Sequence, residues 1–174
     1  MWNVNGIDNL DDIFEFVECN DILCVYETWS ISEPKQIGNC KQKIIYHRPA
    51  VREAMRGRAK GGLAVFINER WKNSLLLSIS NNFIFLRINV KNFYFILAIV
   101  YISPLVELDP IFNEMSEIIA SISSKYPDDA FFIGGDFNSR IGIENSFYET
   151  DYFKNTVLMK SRESLDNELN KRGI

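Results

Sequence analysis

Histidine and cysteine are scarce in this sequence. Its one histidine, His47, and its three cysteines, Cys19, Cys24 and Cys40, follow no zinc-knuckle spacing, and Cys24 falls inside an apolar run of strand character, which argues against a zinc site. An odd number of cysteines without framework spacing, and with no signal peptide ahead of them, predicts a reducing intracellular compartment rather than a secreted disulfide scaffold. The longest apolar run, Phe93 to Ile102, is far short of the ~20 residues a membrane-spanning helix needs. No membrane partner is expected. No glycine loop leads into Lys-Ser or Lys-Thr, which excludes a nucleoside-triphosphatase loop, and no serine sits in a nucleophile elbow. Internal repeats, low-complexity tracts and linkers are absent as well. Nor is there a general excess of positive charge: 19 Lys and Arg stand against 23 Asp and Glu, for a net charge of -4. Contact with nucleic acid would have to come from a local patch.

What is present is enough apolar material for one folded domain. With 174 residues, 47% of them hydrophobic, a single domain can bury about two thirds of its unfolded surface. The organising stretch is Asp129 to Asn138, where a strand-length apolar run meets Gly134-Gly135 and then delivers Asp136 and Asn138. Residues two apart lie on one side of an extended chain. Three other apolar runs also end in polar residues: Trp2 to Asn5, Ile22 to Glu27, and Phe93 to Tyr101. The chain therefore reads as a scaffold for a polar rim at strand ends.

The remaining elements follow from periodicity and turn signals. Leu10, Ile13, Phe14 and Val17 recur at helical spacing, with Asp8 or Asn9 as cap, predicting a helix over 8–18. Strands are expected at 21–26, 43–46, 63–67, 75–79, 83–90 and 93–102, the last two joined by Lys91-Asn92. The run from Phe93 to Val100 is apolar at every position, so it should be central and covered on both faces. A helix over 110–125 carries the stripe Ile111, Met115, Ile118, Ile119 and Ile122, with Asp109 and Pro110 as cap and first turn. A last helix is predicted over 164–172, stopped by Gly173.

Asp136, Asn138, Glu27, Asn3 and Asn5 are hard oxygen donors, a set suited to Mg²⁺ or Mn²⁺. Between His47 and Lys60 lie Arg48, Arg52, Arg56, Arg58 and Lys60 against Glu53 alone, ahead of Gly61-Gly62. That run suits phosphate contact, though a solvated loop would look the same. Glu27 could equally pair with an arginine at a sheet edge, and Tyr101 could be an edge tyrosine in water as well as a phosphate donor. A cation on carboxylates beside a basic loop is what phosphodiester hydrolysis requires.

Taken in order, Trp2 to Gly6, Glu27-Thr28-Trp29, Arg56 to Val65, Val100 to Pro104 and Gly135-Asp136-Phe137-Asn138 resemble the motifs of the endonuclease/exonuclease/phosphatase superfamily. The likeness is greatest to the apurinic-type endonuclease domains of non-LTR retrotransposons, and Ser161 to Gly173 is similar to the segment that follows there. The resemblance implies an α/β fold, part of a four-layer, deoxyribonuclease-I-like sandwich with mixed sheets flanked by helices and the second sheet incomplete. It implies that Glu27 is the principal metal ligand with Asn5 nearby, that Asn3 orients the site and that Tyr101 contacts the scissile phosphate. Asp136 would position or deprotonate the attacking water, Asn138 would hold phosphate or metal, and Arg56, Arg58 and Lys60 would face nucleic acid. The implied cofactor is Mg²⁺ or Mn²⁺ and the implied partner DNA, with a C-terminal reverse transcriptase in a longer, nuclear protein.

The family's late Asp and terminal Ser-Asp-His find no match in this sequence. His47 follows no Ser-Asp pair and reads as a surface or loop residue. The expectation is therefore an N-terminal portion of one domain, clipped at both ends and inactive alone. Its consequence would be an open apolar inner face on the Phe93–Ile102 strand. Two other functions fit the same residues: a non-catalytic remnant that binds nucleic acid or a protein, and a phosphodiesterase of this superfamily with another substrate.

Overall fold

A computed structural model describes residues 1–6, 13–32, 43–52, 57–71, 73–91, 93–104 and 106–138. In chain order they form β1 (Trp2–Asn3), α1 (Phe14–Cys19), β2 (Ile22–Tyr26), β3 (Lys43–Arg48), β4 (Leu63–Asn68), β5 (Leu75–Ile79), β6 (Phe83–Val90), β7 (Phe93–Tyr101), α2 (Leu108–Lys125) and β8 (Ala130–Asp136). The chain divides into two compact units, Met1–Asp136 and Phe137–Ile174. Of the second, only Phe137 and Asn138 are described.

Two four-stranded sheets make up the first unit, in the orders β1-β2-β4-β3 and β5-β6-β7-β8. Each is mixed for the same reason. Parallel neighbours need a long crossover, and the two parallel pairs, β1 with β2 and β7 with β8, are the pairs with a helix between them in the chain. All other pairings are antiparallel. Parallel pairing also puts the carboxyl ends of both partners at one end of the sheet. In open α/β sheets that is where ligands bind.

The sheets meet face to face. Strand alternation sends Cys24 and Tyr26 of β2 and Leu63, Val65 and Ile67 of β4 into one cluster with Ile84, Leu86 and Ile88 of β6 and Leu97, Ile99 and Tyr101 of β7. Burying each such aliphatic side chain stabilises the fold by about 1.5–3 kcal/mol. On the outer side of the first sheet, Ile13 and Val17 of the α1 segment pack on Leu23, Val25, Ala64 and Phe66. Phe83, Phe85, Ile96, Ala98 and Val100, on the outer side of the second sheet, are also fully buried. Helix α2 buries Ile111, Met115 and Ile122, leaving Ile118 and Ile119 half-buried. This is the expected α/β sandwich, two mixed sheets flanked by helices.

Several local expectations need correction. The inner face of the Phe93–Ile102 strand is not open: β7 lies between β6 and β8, and from Ile96 to Ile102 it is buried against the first sheet on one face and under cover on the other. Exposed apolar area is found on β8 instead, at Phe132 and Ile133. Histidine 47 is no loop residue, because β3 runs on to Arg48 and pairs His47 with Ala64. Helix α2 begins at Leu108, with Glu107 in the cap position making no side-chain cap bond, so Asp109 is inside the helix. The predicted helix over 164–172, the segment Ser161 to Gly173, and Arg56 lie outside the described residues. Among those that are described, no helix is long and apolar enough to cross a membrane.

Candidate active site

The carboxyl ends of β1, β2, β7 and β8 carry Asn3, Glu27, Tyr101 and Asp136, and two hydrogen bonds tie them together across the sandwich. Tyr101 Oη donates to Glu27 Oε1, and Asn3 Nδ2 donates to Asp136 Oδ2 at 3.2 Å. Each bond joins a residue of the first sheet to one of the second. Asn3 is itself oriented locally, since its Oδ1 accepts the Asn5 N–H at 3.0 Å, an Asx turn that reverses the chain after β1.

Backbone geometry delivers Glu27 to this rim. β2 ends at Tyr26, and Glu27 and Trp29 both take left-handed conformations, with φ 57° and 53°. The turn is held from both sides: the Gly6 N–H donates to the Glu27 carbonyl at 2.7 Å, and the Trp29 N–H donates to the Gly61 carbonyl at 3.0 Å. Non-glycine residues in that region are sparsely populated and persist where surrounding bonds over-determine them, commonly at functional sites. Asn5, at φ 50°, is a third such residue on the same rim.

The Tyr101 hydroxyl bonds one carboxylate, that of Glu27, and feels the charge of a second, Asp136. Burial raises its pKa above the usual phenol value, and the hydrogen bond to Glu27 and the nearby charges of Glu27 and Asp136 raise it further. The neighbouring Tyr26, stacked on Tyr101 with ring centroids 6.1 Å apart, is shifted up by burial and by Asp136. Tyr101 therefore stays protonated through neutral pH, a hydrogen-bond donor facing acceptors. On the same rim the Asn3 carboxamide, bonded to Asp136 and to the Asn5 N–H, adds an oxygen acceptor. The described residues contain no cluster of three or more His, Cys, Asp or Glu able to hold a metal. A Mg²⁺ ion asks for less, one or two carboxylates plus water and substrate oxygens, and the oxygen donors of this rim fit that demand.

Solved structures share the fold. AP endonuclease LMAP from Leishmania major matches 86% of this chain with a TM-score of 0.60 at 14% identity. The human Nocturnin catalytic domain with bound sulfate anion matches 75% with a TM-score of 0.54 at 16% identity. The endonuclease domain of TRAS1, a telomere-specific non-LTR retrotransposon, matches 80% with a TM-score of 0.51 at 12% identity. The chain shares the deoxyribonuclease-I-like α/β fold of these structures. It spans 58%, 55% and 59% of those three structures in turn, a little over half of each. No family model and no curated protein matches the sequence.

Within this fold, the sequence-predicted residues Asn3, Asn5, Glu27, Tyr101 and Asp136 come together at one end of the first unit. Asn138, with φ 49°, belongs to the second unit. Arg58 and Lys60 are exposed, and the Val51–Lys60 bridge closes the arm that carries them. The glycine pair Gly61-Gly62 accepts the Trp29 and Thr28 N–H groups through its carbonyls, so it seats the Glu27 turn. Arg48, read in the sequence as part of the phosphate-contacting run, instead donates to Asn81 in the β5–β6 turn. With Ile79, Ser80, Asn82 and Glu114 these two line a cavity of about 380 Å³. Arg48 and Asn81 are thirty-three residues apart, and no local signal links them.

The buried acids of this end set an alkaline limit. Burial pushes the Cys24 thiol up from 9.0 to about 12, and Tyr26 and Tyr101 move up from 10.0. A group whose pKa is higher folded than unfolded contributes fully below its unfolded value, and that contribution is lost as pH rises through the folded one. The melting temperature is thus expected to hold to about pH 9 and to fall above it. Cys24→Ala should flatten the first part of that fall. A melting temperature independent of pH between about 9 and 11 would contradict the assignment.

Proposed function

We propose that this rim belongs to a metal-dependent phosphodiesterase that nicks DNA. The observation that supports the reading is the meeting of Glu27, Tyr101, Asn3 and Asp136 through two bonds between sheets, at the strand ends of a fold shared with endonucleases. Glu27, with Asn5 beside it, would hold Mg²⁺ or Mn²⁺. When bound, such an ion polarises a phosphoryl oxygen and stabilises a leaving oxygen.

The chain's own residues supply the rest. Tyr101, kept protonated, donates to a non-bridging phosphate oxygen in exchange for Glu27. Asp136, held by Asn3, orients the attacking water through a carboxylate oxygen and accepts its proton. Arg58 and Lys60, exposed on the neighbouring arm, neutralise flanking phosphates. Asn138, two residues past Asp136, is assigned to phosphate or metal. The stretch from Arg56 to Val65 resembles the retrotransposon branch, and TRAS1 is a retrotransposon endonuclease domain. On that basis we assign DNA as the substrate, and a nuclear protein with a reverse transcriptase as the wider context. The chain on its own is expected to bind metal and DNA and to cut poorly.

The test pairs two measurements on the chain. Mg²⁺ is expected to raise the melting temperature of the wild type and not of Glu27→Gln. Any nicking of supercoiled plasmid should require Mg²⁺ and vanish in Asp136→Ala. DNA binding with no thermal response to Mg²⁺ and no nicking would instead support the non-catalytic remnant. Cleavage that survives chelation would overturn the metal assignment. A second reading keeps the chemistry and changes the substrate, since a likeness at 12–16% identity carries the fold and not the substrate. Preferential hydrolysis of a non-DNA phosphodiester would select it.

A further inference from the structure

We infer that Trp29 is a positioning residue that holds Arg58 beside the rim as a clamp for a phosphate next to the scissile one. The inference rests on the phosphodiester reading above. The Arg58 Cζ lies 3.2 Å from the centroid of the Trp29 ring, so the guanidinium is seated on the indole face, the favoured geometry for cation–π attraction. Arg58 is exposed, and among the described residues it meets no hydrogen-bond acceptor or carboxylate. Its five N–H donors are therefore open to a ligand. The other arginines with assigned contacts are committed: Arg48 to Asn81, Arg70 to Asp21 and Arg87 to Asp129.

The platform under Arg58 is fixed to the catalytic turn. Trp29 follows Glu27 by two residues, has its N–H bonded to Gly61, and takes a left-handed backbone at φ 53°. Its ring lies so close to Gly6 that a Cβ there would stand 2.0 Å from Trp29 Cε3. Gly6 itself is at φ 98° and donates its N–H to the Glu27 carbonyl. Only glycine leaves room for that contact in that conformation. A planar, pre-seated guanidinium loses less freedom on binding phosphate than a free side chain does. Arg58 is thus aimed by an aromatic residue of the same turn that carries Glu27.

The experiment is fluorescence anisotropy of the full chain with a labelled duplex of about 20 base pairs, between about 50 and 200 mM salt. Arg58→Ala is expected to weaken binding about five- to tenfold at the low-salt end and to lower the salt slope by about 0.9. Trp29→Ala keeps every charge yet should weaken binding as well, and the double variant should be no weaker than Arg58→Ala alone. Trp29→Phe, which keeps a ring, should stay within about twofold of wild type. Gly6→Ala should copy Trp29→Ala by displacing the indole. Should Trp29→Ala fail to fold, Trp29→Leu carries the same comparison. Wild-type affinity and slope in Arg58→Ala, or losses that simply add in the double variant, would overturn the inference while leaving the phosphodiester reading intact. Absence of any duplex binding by the wild type would remove both.

Discussion

Gly135→Ala is expected to destabilise the first unit by roughly 3–5 kcal/mol, a loss of the order of 10 °C in melting temperature for a chain of this size. Gly135 pairs with Val100 in the β7–β8 ladder and has φ 152°, a region that side-chain-bearing residues rarely enter. A Cβ built there would lie 1.8 Å from the Val100 carbonyl oxygen. That neighbour is backbone of a central strand, so it cannot swing aside. β8 would have to separate from β7 one residue before Asp136, which would carry the carboxylate away from Asn3 and Tyr101. Gly134→Ala is the control. Its Cβ would meet only the Met1 Sδ at 2.9 Å and Cε at 3.0 Å, the far end of a flexible side chain, and should cost no more than about 1 kcal/mol. Denaturant unfolding of both variants makes the comparison. Equal stability of the two would refute this account of the glycine pair.

That the rim lies where four apolar runs end was legible in the sequence, because strand-length runs followed by polar residues mark strand ends whatever the tertiary pairing. The hairpin strands were legible almost to the residue. β5 and β6 fall on their expected bounds, since short apolar runs bounded by polar turn residues fix them locally. What joins the rim was not legible. Asn3 and Asp136 are 133 residues apart, and Tyr101 and Glu27 are 74 apart. No periodicity relates such positions, and the sandwich architecture came from the resemblance alone. The left-handed backbones of Glu27 and Trp29 were hidden for a different reason. Neither residue type favours that region, so the conformation is imposed by bonds from Gly6 and Gly61. The start of α2 was misread because a proline was taken as the first helical residue. Any of the first four helical N–H groups lacks an intrahelical partner, so Pro110 is tolerated two residues inside a helix that begins at Leu108.

The far end of β8 is governed by a second anchor, and Arg87→Ala is expected to cost about 2–4 kcal/mol. Arg87 alternates with Phe83 and Phe85 on the outer face of β6. Its Nε donates to Asp129 Oδ2 at 2.6 Å and its Nη2 to Asp129 Oδ1 at 3.3 Å, the two-pronged geometry that only arginine offers a carboxylate. The guanidinium carbon also lies 3.8 Å from the centre of the Tyr94 ring and 4.2 Å from that of Tyr126. Tyr126 caps α2 and Asp129 precedes β8, so one side chain of β6 fastens the end of the crossover helix and the start of the strand that carries Asp136. The pair is mostly buried, with the Arg87 side chain 22% and that of Asp129 9% exposed. Removing the arginine would leave a carboxylate with little access to water, which costs more than the pair's net worth. The residual exposure of Arg87 places the loss below that of a fully buried pair. Asp129→Asn keeps one acceptor for Arg87 and should cost about 1–2 kcal/mol. Replacing both residues, as Arg87→Met with Asp129→Leu, should recover most of the loss, because the methionine stem still packs between the tyrosine rings and no charge is stranded. A double-mutant cycle by thermal unfolding gives the coupling directly. Additive losses would mean that Arg87 acts through the rings alone and does not set the register with which β8 brings Asp136 to Asn3.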